Sequence, residues 1–78
     1  MKIKELIGRE VLDSDAKTIG KVIDVDFDMH QGVINCIIVK AGALKQYEIA
    51  FEEITAIGDR LILKVTENQL RRKTVISL

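Results

Sequence analysis

The chain has 78 residues, 47% of them apolar and 31% charged, a balance typical of one globular domain and a length too short for two. Twelve basic and twelve acidic side chains cancel, and zero net charge argues against a broad electrostatic surface for nucleic acid. Cys36 is the single cysteine and His30 the single histidine, so the monomer has no internal disulfide, and a four-ligand zinc site is nearly excluded.

The charges are distributed unevenly along the chain. Residues 1–59 carry seven basic and eleven acidic side chains, a balance of −4, whereas residues 60–78 carry five and one, a balance of +4. The first eight residues lack the apolar stretch that export requires, and no apolar run approaches the ~20 residues that span a bilayer. We therefore expect a cytoplasmic protein without membrane insertion.

Residues 2–6 fit either a first strand or a short turn that plugs one end of a barrel. Beyond them, glycines and polar clusters recur roughly every eight to twelve residues, which is the spacing of short antiparallel strands. The chain has no proline, so these clusters alone mark the turns.

The segment Thr18–Asp28 alternates with a period of two, which predicts a strand with one solvent-exposed face. Its even positions include three aspartates, and its odd positions are apolar apart from Lys21. We expect the apolar side to face the core: Ile19, Ile23, Val25 and Phe27. Gly20 predicts a bulge or a bend that curls the sheet.

Val33–Lys40 is apolar on both faces, so a strand here needs cover on each side. The barrel interior covers one face. The C-terminal tail of the chain or a second copy of the protein covers the other.

The remaining segments are shorter. Residues 45–51 alternate with an apolar side made of Tyr47, Ile49 and Phe51, and residues 51–54, from Phe51 to Ile54, fit a short helical turn. Residues 60–65 direct Ile62 outward and three residues inward: Leu61, Leu63 and Val65. The tail, residues 67–78, allows a helical turn around Leu70, an added strand at 75–78, or an arm for a dimer.

An open sheet of such strands exposes edges that pair with other chains, and curling into a barrel removes that liability. We therefore predict one all-β domain over residues 1–78. It is a small β-barrel of five or six mostly antiparallel strands, with its core at about residues 5–66.

Six short motifs follow one another in a recognisable order. They are LIGREV at 6–11, DSD at 13–15, IGKV at 19–22, DMHQG at 28–32, IAFEEI at 49–54 and AIGD at 56–59. Together they resemble the PRC-barrel family, named for a cytoplasmic domain of the photosynthetic reaction centre. This chain has Ala50 where the family often has proline, and alanine keeps a backbone N–H that proline lacks.

The resemblance implies a PRC-type barrel used as a docking surface, with no catalytic residue attached to the fold. Members of the family occur in the reaction centre, in a ribosome-maturation factor that contacts a ribosomal protein, and as short stand-alone archaeal proteins. This chain is similar to the archaeal type, some members of which are associated with cell division. The shared theme is protein contact, often with self-association, although a fold alone does not settle function.

Asp24, Asp26 and Asp28 form the strongest polar feature. Their spacing is similar to the opening of a calcium loop, but the required glycine and bidentate acid are replaced by Met29 and Asn35. Alternate carboxylates on a strand lie about 6.5–7 Å apart and repel one another. A solvated acidic face, a surface that binds a partner, and a weak cation site are the alternatives.

Catalysis has little support in the sequence. His30 lies in a hairpin loop, and Cys36 lies within the most apolar strand, where burial makes a thiol inert. No glycine-rich phosphate loop occurs. We predict that the protein is not an enzyme and has no cofactor and no metal site.

The basic run Arg71, Arg72 and Lys73 has three interpretations: a solvated tail, a weak contact with RNA, or a clamp onto the acidic face of another copy. Single-strand binding uses exposed aromatic side chains. The aromatics here alternate with polar residues as core side chains do: Phe27, Tyr47 and Phe51. Contact with nucleic acid is therefore the less favoured interpretation.

Apolar burial would drive self-association, and exposed ion pairs of about 0–1 kcal/mol each would orient it. The candidate residues for this contact are Ile34, Ile38, Ile62, Val75 and Ile76. We predict a non-catalytic adaptor that forms a homodimer through one surface and binds an unidentified partner protein through another, in cell-division or membrane-associated assembly. The alternative is a ribosome- or RNA-associated maturation module.

Overall fold

In the described part of the chain, seven strands, two α-helices and one 3-10 turn form the fold. The computed structural model describes the backbone of residues 1–73 and 75–77 and the side chains of residues 1–70. The elements in chain order are α1 (Ile3–Leu6), β1 (Glu10–Leu12), β2 (Thr18–Asp28), β3 (Val33–Lys40), β4 (Lys45–Ala50), the 3-10 turn (Phe51–Glu53), β5 (Ile54–Ile57), β6 (Arg60–Leu63), α2 (Glu67–Lys73) and β7 (Val75–Ser77).

All seven strands belong to one sheet, in the order β5-β6-β1-β2-β3-β4-β7. Neighbours are antiparallel except β1 and β6, which run parallel. The all-β, mostly antiparallel prediction is confirmed, and β7 is the added strand that the tail allowed. Because β5 and β7 end the order, the sheet is barrel-like but not closed by hydrogen bonds within the described residues.

One apolar core lies on the concave side of this sheet. Strands β1, β2, β3, β4 and β6 all contribute to it, with Leu6 of α1 and Leu70 of α2. Of the inward side chains predicted within residues 45–65, five are buried, namely Tyr47, Ile49, Leu61, Leu63 and Val65, whereas Phe51 is half-buried. Fully burying one such aliphatic side chain stabilises the fold by about 1.5–3 kcal/mol. Residues 2–6 contain helix α1 rather than a strand, and α1 contributes Leu6 to the core.

The prediction for the two faces of β2 is wrong in part, because β2 is bulged. Its pairing with β3 moves from Val22 opposite Val39 to Asp24 opposite Ile38, which leaves Ile23 as an extra residue. An extra residue reverses the alternation on its strand. Val22 is therefore buried, whereas Ile23 is 39% exposed.

Phe27 is also misassigned to the core. It lies opposite Ile34 near the turn that joins β2 to β3, and it is 40% exposed. Phe27 shares the inward side of the sheet with Ile34, which packs against the core, but the side chain of Phe27 is only partly covered.

The predicted bend at Gly20 is present. Val11 of β1 lies opposite Gly20 and Leu12 lies opposite Thr18, so Ile19 is an extra residue. A Cβ atom on Gly20 would overlap the carbonyl oxygen of Lys40 and lie 2.8 Å from its carbonyl carbon. Only glycine lets the two backbones approach this closely.

Replacing Gly20 tests this close approach. We expect Gly20→Ala to lower the free energy of unfolding by about 2 kcal/mol or more, because backbone atoms of β3 would have to move. Gly58→Ala is the matched control, since a Cβ at Gly58 meets nothing within 4 Å. Urea unfolding followed by circular dichroism measures both, and equal stability of the two variants would contradict the packing described here.

A buried carboxylate at Asp13 joins the first turn of the chain to the last helix. Asp13 is 1% exposed. Its Oδ1 accepts hydrogen bonds from the backbone N–H groups of Asp15 at 2.9 Å and Lys17 at 2.8 Å, and its Oδ2 accepts one from Glu67 at 2.9 Å. Glu67 is the first residue of α2, where backbone N–H groups have no acceptor within the helix. The Asp13 carboxylate supplies that acceptor from 54 residues away in the sequence.

The Asp13 carboxyl stays charged in this position. Burial acts to raise its pKa, but the three backbone N–H donors and the nearby charge of Lys17 outweigh burial and hold the pKa below its ordinary value of 3.8. The folded state therefore favours the ionised form of this group.

We expect Asp13→Asn to destabilise the fold by about 1–3 kcal/mol at pH 7, because the NH₂ group of an amide only donates, so one of the two accepting oxygens is lost. A carboxyl with a lowered folded-state pKa stabilises above its unfolded pKa, and that contribution is lost as pH falls through the folded pKa. The stability difference between wild type and variant should therefore shrink below about pH 4. Asp15→Asn is the control, because it removes an exposed carboxyl group in the same turn. A stability difference that does not begin to shrink as the pH falls below about 4 would contradict this role for the charge.

Candidate functional site

The convex side of β2, β3 and β4 carries side chains that point away from the core, and we call it the outer face. Residues directly opposite each other on paired strands share one face of a sheet. The pairing therefore arranges the outer face in three rows across the strands. They are the lysine row (Lys21, Lys40, Gln46), the central row (Asp24, Ile38, Glu48) and the third row (Asp26, Cys36, Ala50).

A surface depression of about 330 Å³ lies over the central and third rows. Its lining combines apolar side chains with three carboxyl groups: Asp24, Val25, Asp26, Cys36, Ile38 and Glu48. Ile38 is half-buried at its centre, opposite Asp24 on one side and Glu48 on the other. An apolar centre inside a polar rim is the usual composition of a protein–protein interface.

The three carboxylates are held by local hydrogen bonds. Asp24 Oδ1 accepts from the backbone N–H of Val25 at 2.8 Å, and Asp26 Oδ2 accepts from Asn35 Nδ2 at 3.4 Å. Glu48 Oε1 lies 3.5 Å from Cys36 Sγ, which donates to it. Among the described residues, no three His, Cys, Asp or Glu side chains are placed to hold a metal ion.

Cys36 is buried, as expected, but its pairing with Asp26 and Ala50 places it on the outer face. It is 6% exposed because its neighbours in the depression cover it. Burial, the hydrogen bond to Glu48 and the negative charges of Glu48 and Asp26 raise the pKa of the thiol to about 11. The thiol is therefore protonated at neutral pH, which is the opposite of an activated nucleophile.

Asp28 has a different role from the other two aspartates. Its Oδ1 accepts hydrogen bonds from the backbone N–H groups of His30 and Gln31 at 2.9 and 3.1 Å, so it shapes the turn between β2 and β3. His30 is exposed in that turn. The sequence grouped three aspartates as one feature, and the structure assigns two to the depression and one to the turn.

The three candidates for self-association whose side chains are described lie in different parts of the molecule. Ile34 packs against the core, because it lies opposite Phe27 beyond a second irregularity in the pairing of β2 and β3. Ile38 lies in the depression, and Ile62 is 39% exposed on β6. Ile34 and Ile38 therefore lie on opposite faces of β3.

The last candidates lie in the tail. Arg71, Arg72 and Lys73 end α2, and their side chains lie outside the described residues. By backbone pairing, Val75 is opposite Tyr47 and Ile76 is opposite Gln46. The side chains of β7 are likewise outside the described part.

Three outer-face residues were missed by sequence reasoning: Lys21, Lys40 and Glu48. Lys21 looked like an interruption of an apolar face, and the bulge at Ile23 explains its place on the outer face. Glu48 alternates with Tyr47 and Ile49, so its outward direction was readable from the sequence. Its position beside Ile38 depended on the pairing of β3 with β4.

Comparison with protein families agrees with this fold. The model of the PRC-barrel domain matches residues 1–70. The chain belongs to the PRC-barrel family. The predicted resemblance is confirmed, and the match ends within α2, before β7. PRC-barrel domains are in general protein-interaction modules, whereas an archaeal type, a homodimer and a cell-division role stay predictions.

A search of curated proteins found no match to the chain. Within the described residues, no helix is long and apolar enough to cross a membrane.

The reactivity of Cys36 reports directly on the outer face. At pH 8, a thiol with a pKa of about 11 has roughly 100-fold less thiolate than one at the ordinary value of 9.0. We expect Glu48→Gln to speed alkylation of Cys36 by iodoacetamide, because a carboxylate that raises the thiol pKa is removed. Asp24 lines the same depression but does not contribute to that pKa. Asp24→Asn therefore serves as the control. Equal rates for wild type and Glu48→Gln would contradict the contact.

Proposed function

We propose that this PRC-barrel domain is a non-catalytic adaptor that binds a partner protein through the outer face of β2, β3 and β4. The depression around Ile38 is the observation that supports this most. There a half-buried aliphatic side chain on β3 lies between two carboxylates of β2 and one of β4, and the three strands are directly paired. A rigid sheet holds such a surface in its binding geometry, so little conformational freedom is lost on contact.

The chemistry of the described side chains supports a role without catalysis. A nucleophilic cysteine needs a neighbour that lowers its pKa. Here the Glu48 carboxylate beside Cys36 raises it. His30 is exposed in the β2–β3 turn and makes its contact through its backbone N–H.

The RNA-associated alternative has weaker support. The depression carries three carboxylates, which repel phosphate groups. Among the aromatic side chains, Tyr47 is buried, Phe51 is half-buried and Phe27 is the most exposed. Stacking of single-stranded bases uses several exposed aromatic faces, and this chain offers one.

The cellular setting is a proposal based on the family resemblance. Cell-division or membrane-associated assembly in the cytoplasm is the setting we favour. An adaptor suits such machinery because it contributes contacts rather than chemistry.

Affinity purification of the full chain from its native cell tests the proposed surface. We expect wild type to retain a protein partner that Ile38→Asp loses, because a charge in the apolar centre of the depression must be desolvated on binding. Ile62→Asp is the matched control, since it makes the same change on the outer side of β6. Both variants are first checked for native circular dichroism.

Two results would contradict the proposal. One is a partner retained by Ile38→Asp, and the other is a partner lost equally with Ile62→Asp. Capture of RNA would favour the RNA alternative instead. Such capture would be lost on nuclease treatment, would weaken with added salt, and would disappear in the double variant Arg71→Ala with Arg72→Ala.

A further inference from the structure

The chain's own β7 covers the edge of β4 along part of its length. β7 ends the order of strands beside β4 and lies opposite residues 45–47, whereas β4 continues to Ala50. In this register the residue opposite Ile49 would be Lys73, which belongs to helix α2. A helical residue cannot take part in a ladder between strands, so β7 cannot extend along β4 beyond Glu48.

The backbone of β4 has the regular geometry that a further strand needs. β4 pairs with β3 at every residue from Gln46 to Ala50, without an irregularity. The other end of the described sheet is β5, whose pairing with β6 shifts between Ile54 and Ala56. Because a bulge turns an edge away from further pairing, β4 is the better acceptor of these two edge strands.

Helix α2 is anchored before β7 begins. Leu70 is 2% exposed and packs in the core, and Asp13 accepts a hydrogen bond from the backbone N–H of Glu67. Thr66 and Gln69 cap the helix: Thr66 Oγ1 accepts from the N–H of Gln69 at 3.2 Å, and Gln69 Oε1 accepts from the N–H of Thr66 at 2.8 Å. β7 can therefore leave β4 while these contacts of α2 stay in place.

We propose that the edge of β4 is a binding site for an extended segment of a partner protein, and that β7 occupies this site until the segment displaces it. Addition of a strand to a sheet edge is a recurring mode of peptide recognition. A partner segment can pair with the whole of Lys45–Ala50, whereas β7 pairs with residues 45–47. This site is the edge of the sheet and is separate from the depression around Ile38.

The two faces of β4 determine which side chains the partner segment carries. Residues directly opposite each other share one face of a sheet. Tyr47 and Ile49 are buried on the inner face, so the partner residues opposite them are apolar. Glu48 lies between them and is exposed on the outer face, so the partner residue opposite it is lysine or arginine. The site selects an apolar–basic–apolar segment that runs antiparallel to β4, as β7 does.

A synthetic peptide of this pattern tests the site: threonine–valine–lysine–valine–isoleucine–serine. Its last three residues repeat Val75–Ser77, and its lysine lies opposite Glu48. In wild type the tethered β7 competes with the peptide at an effective concentration of about 1 mM. We expect the double variant Val75→Pro with Ile76→Pro to bind the peptide at least about ten-fold more tightly than wild type.

The prolines act on the backbone of β7. Residues along an antiparallel pair alternate between bonded and non-bonded positions, so one of two neighbouring prolines removes an N–H group directed at β4. The control is Val75→Thr with Ile76→Thr, which keeps both N–H groups and β-branched side chains and should bind as wild type does. Native circular dichroism is checked first. Binding is followed by NMR titration, in which the amide resonances of Ile49 and Ala50 should shift.

The charge of Glu48 provides a second arm of the test. A peptide with glutamate in place of lysine should bind the proline variant at least about three-fold more weakly, because it places two carboxylates opposite each other. Adding Glu48→Lys to that variant should reverse the preference between the two peptides.

Hydrogen exchange of wild type needs no variant. The protected amides of β7 should exchange at least about ten-fold faster than the amide of Leu70, which is bonded to the carbonyl oxygen of Thr66 at 3.0 Å. Equal protection would show that β7 does not leave on its own and would overturn the proposal.

Three results of the titration would also overturn it. One is a folded proline variant that does not bind the lysine peptide at about 1 mM. The second is equal affinity of the proline variant and wild type for that peptide. The third is a set of amide shifts located at β5 instead of Ile49 and Ala50. The capture experiment with Ile38→Asp is independent of these results, because it concerns the depression.

Discussion

The pairing of β2 with β3 is the constraint on which the rest of the molecule depends. These two strands are the longest in the sheet, and the extra residue at Ile23 reverses the alternation of β2. Because of this one residue, Val22 joins Val39 in the core, and Lys21 joins Asp24 and Asp26 on the outside. The composition of both sides of the sheet follows from where the bulge falls.

Two contacts hold distant segments around that pair of strands. Gly20 lets β2 pass against the backbone at Lys40, which bends the sheet toward a barrel. Asp13 connects the turn before β2 to the first residue of α2, and α2 brings Leu70 into the core. The N-terminal turn and the C-terminal helix are therefore stabilised together, and the charge of one buried carboxylate connects them.

The polar groups of the outer face are held by contacts within the sheet. Its cysteine is kept protonated by the neighbours that surround it, and its carboxylates are bound to local donors instead of converging on one point. Family membership gives protein interaction as a general role. The arrangement particular to this chain is a half-buried Ile38 between Asp24 and Glu48, with Lys21 and Lys40 in the adjacent row.

Local periodicity determined much of this fold. The alternation in Thr18–Asp28 and Val33–Lys40 predicted strands, and Phe51 with its neighbours predicted a turn, because side-chain spacing reflects the backbone geometry of a single segment. The family resemblance was also readable from short motifs in order. Only the tertiary structure decided which residues are opposite one another, and hence that Asp28 belongs to a turn, that Ile34 faces the core and that Ile38 lies between two carboxylates. Bulges and strand registers depend on packing between segments far apart in sequence, and no local pattern encodes them.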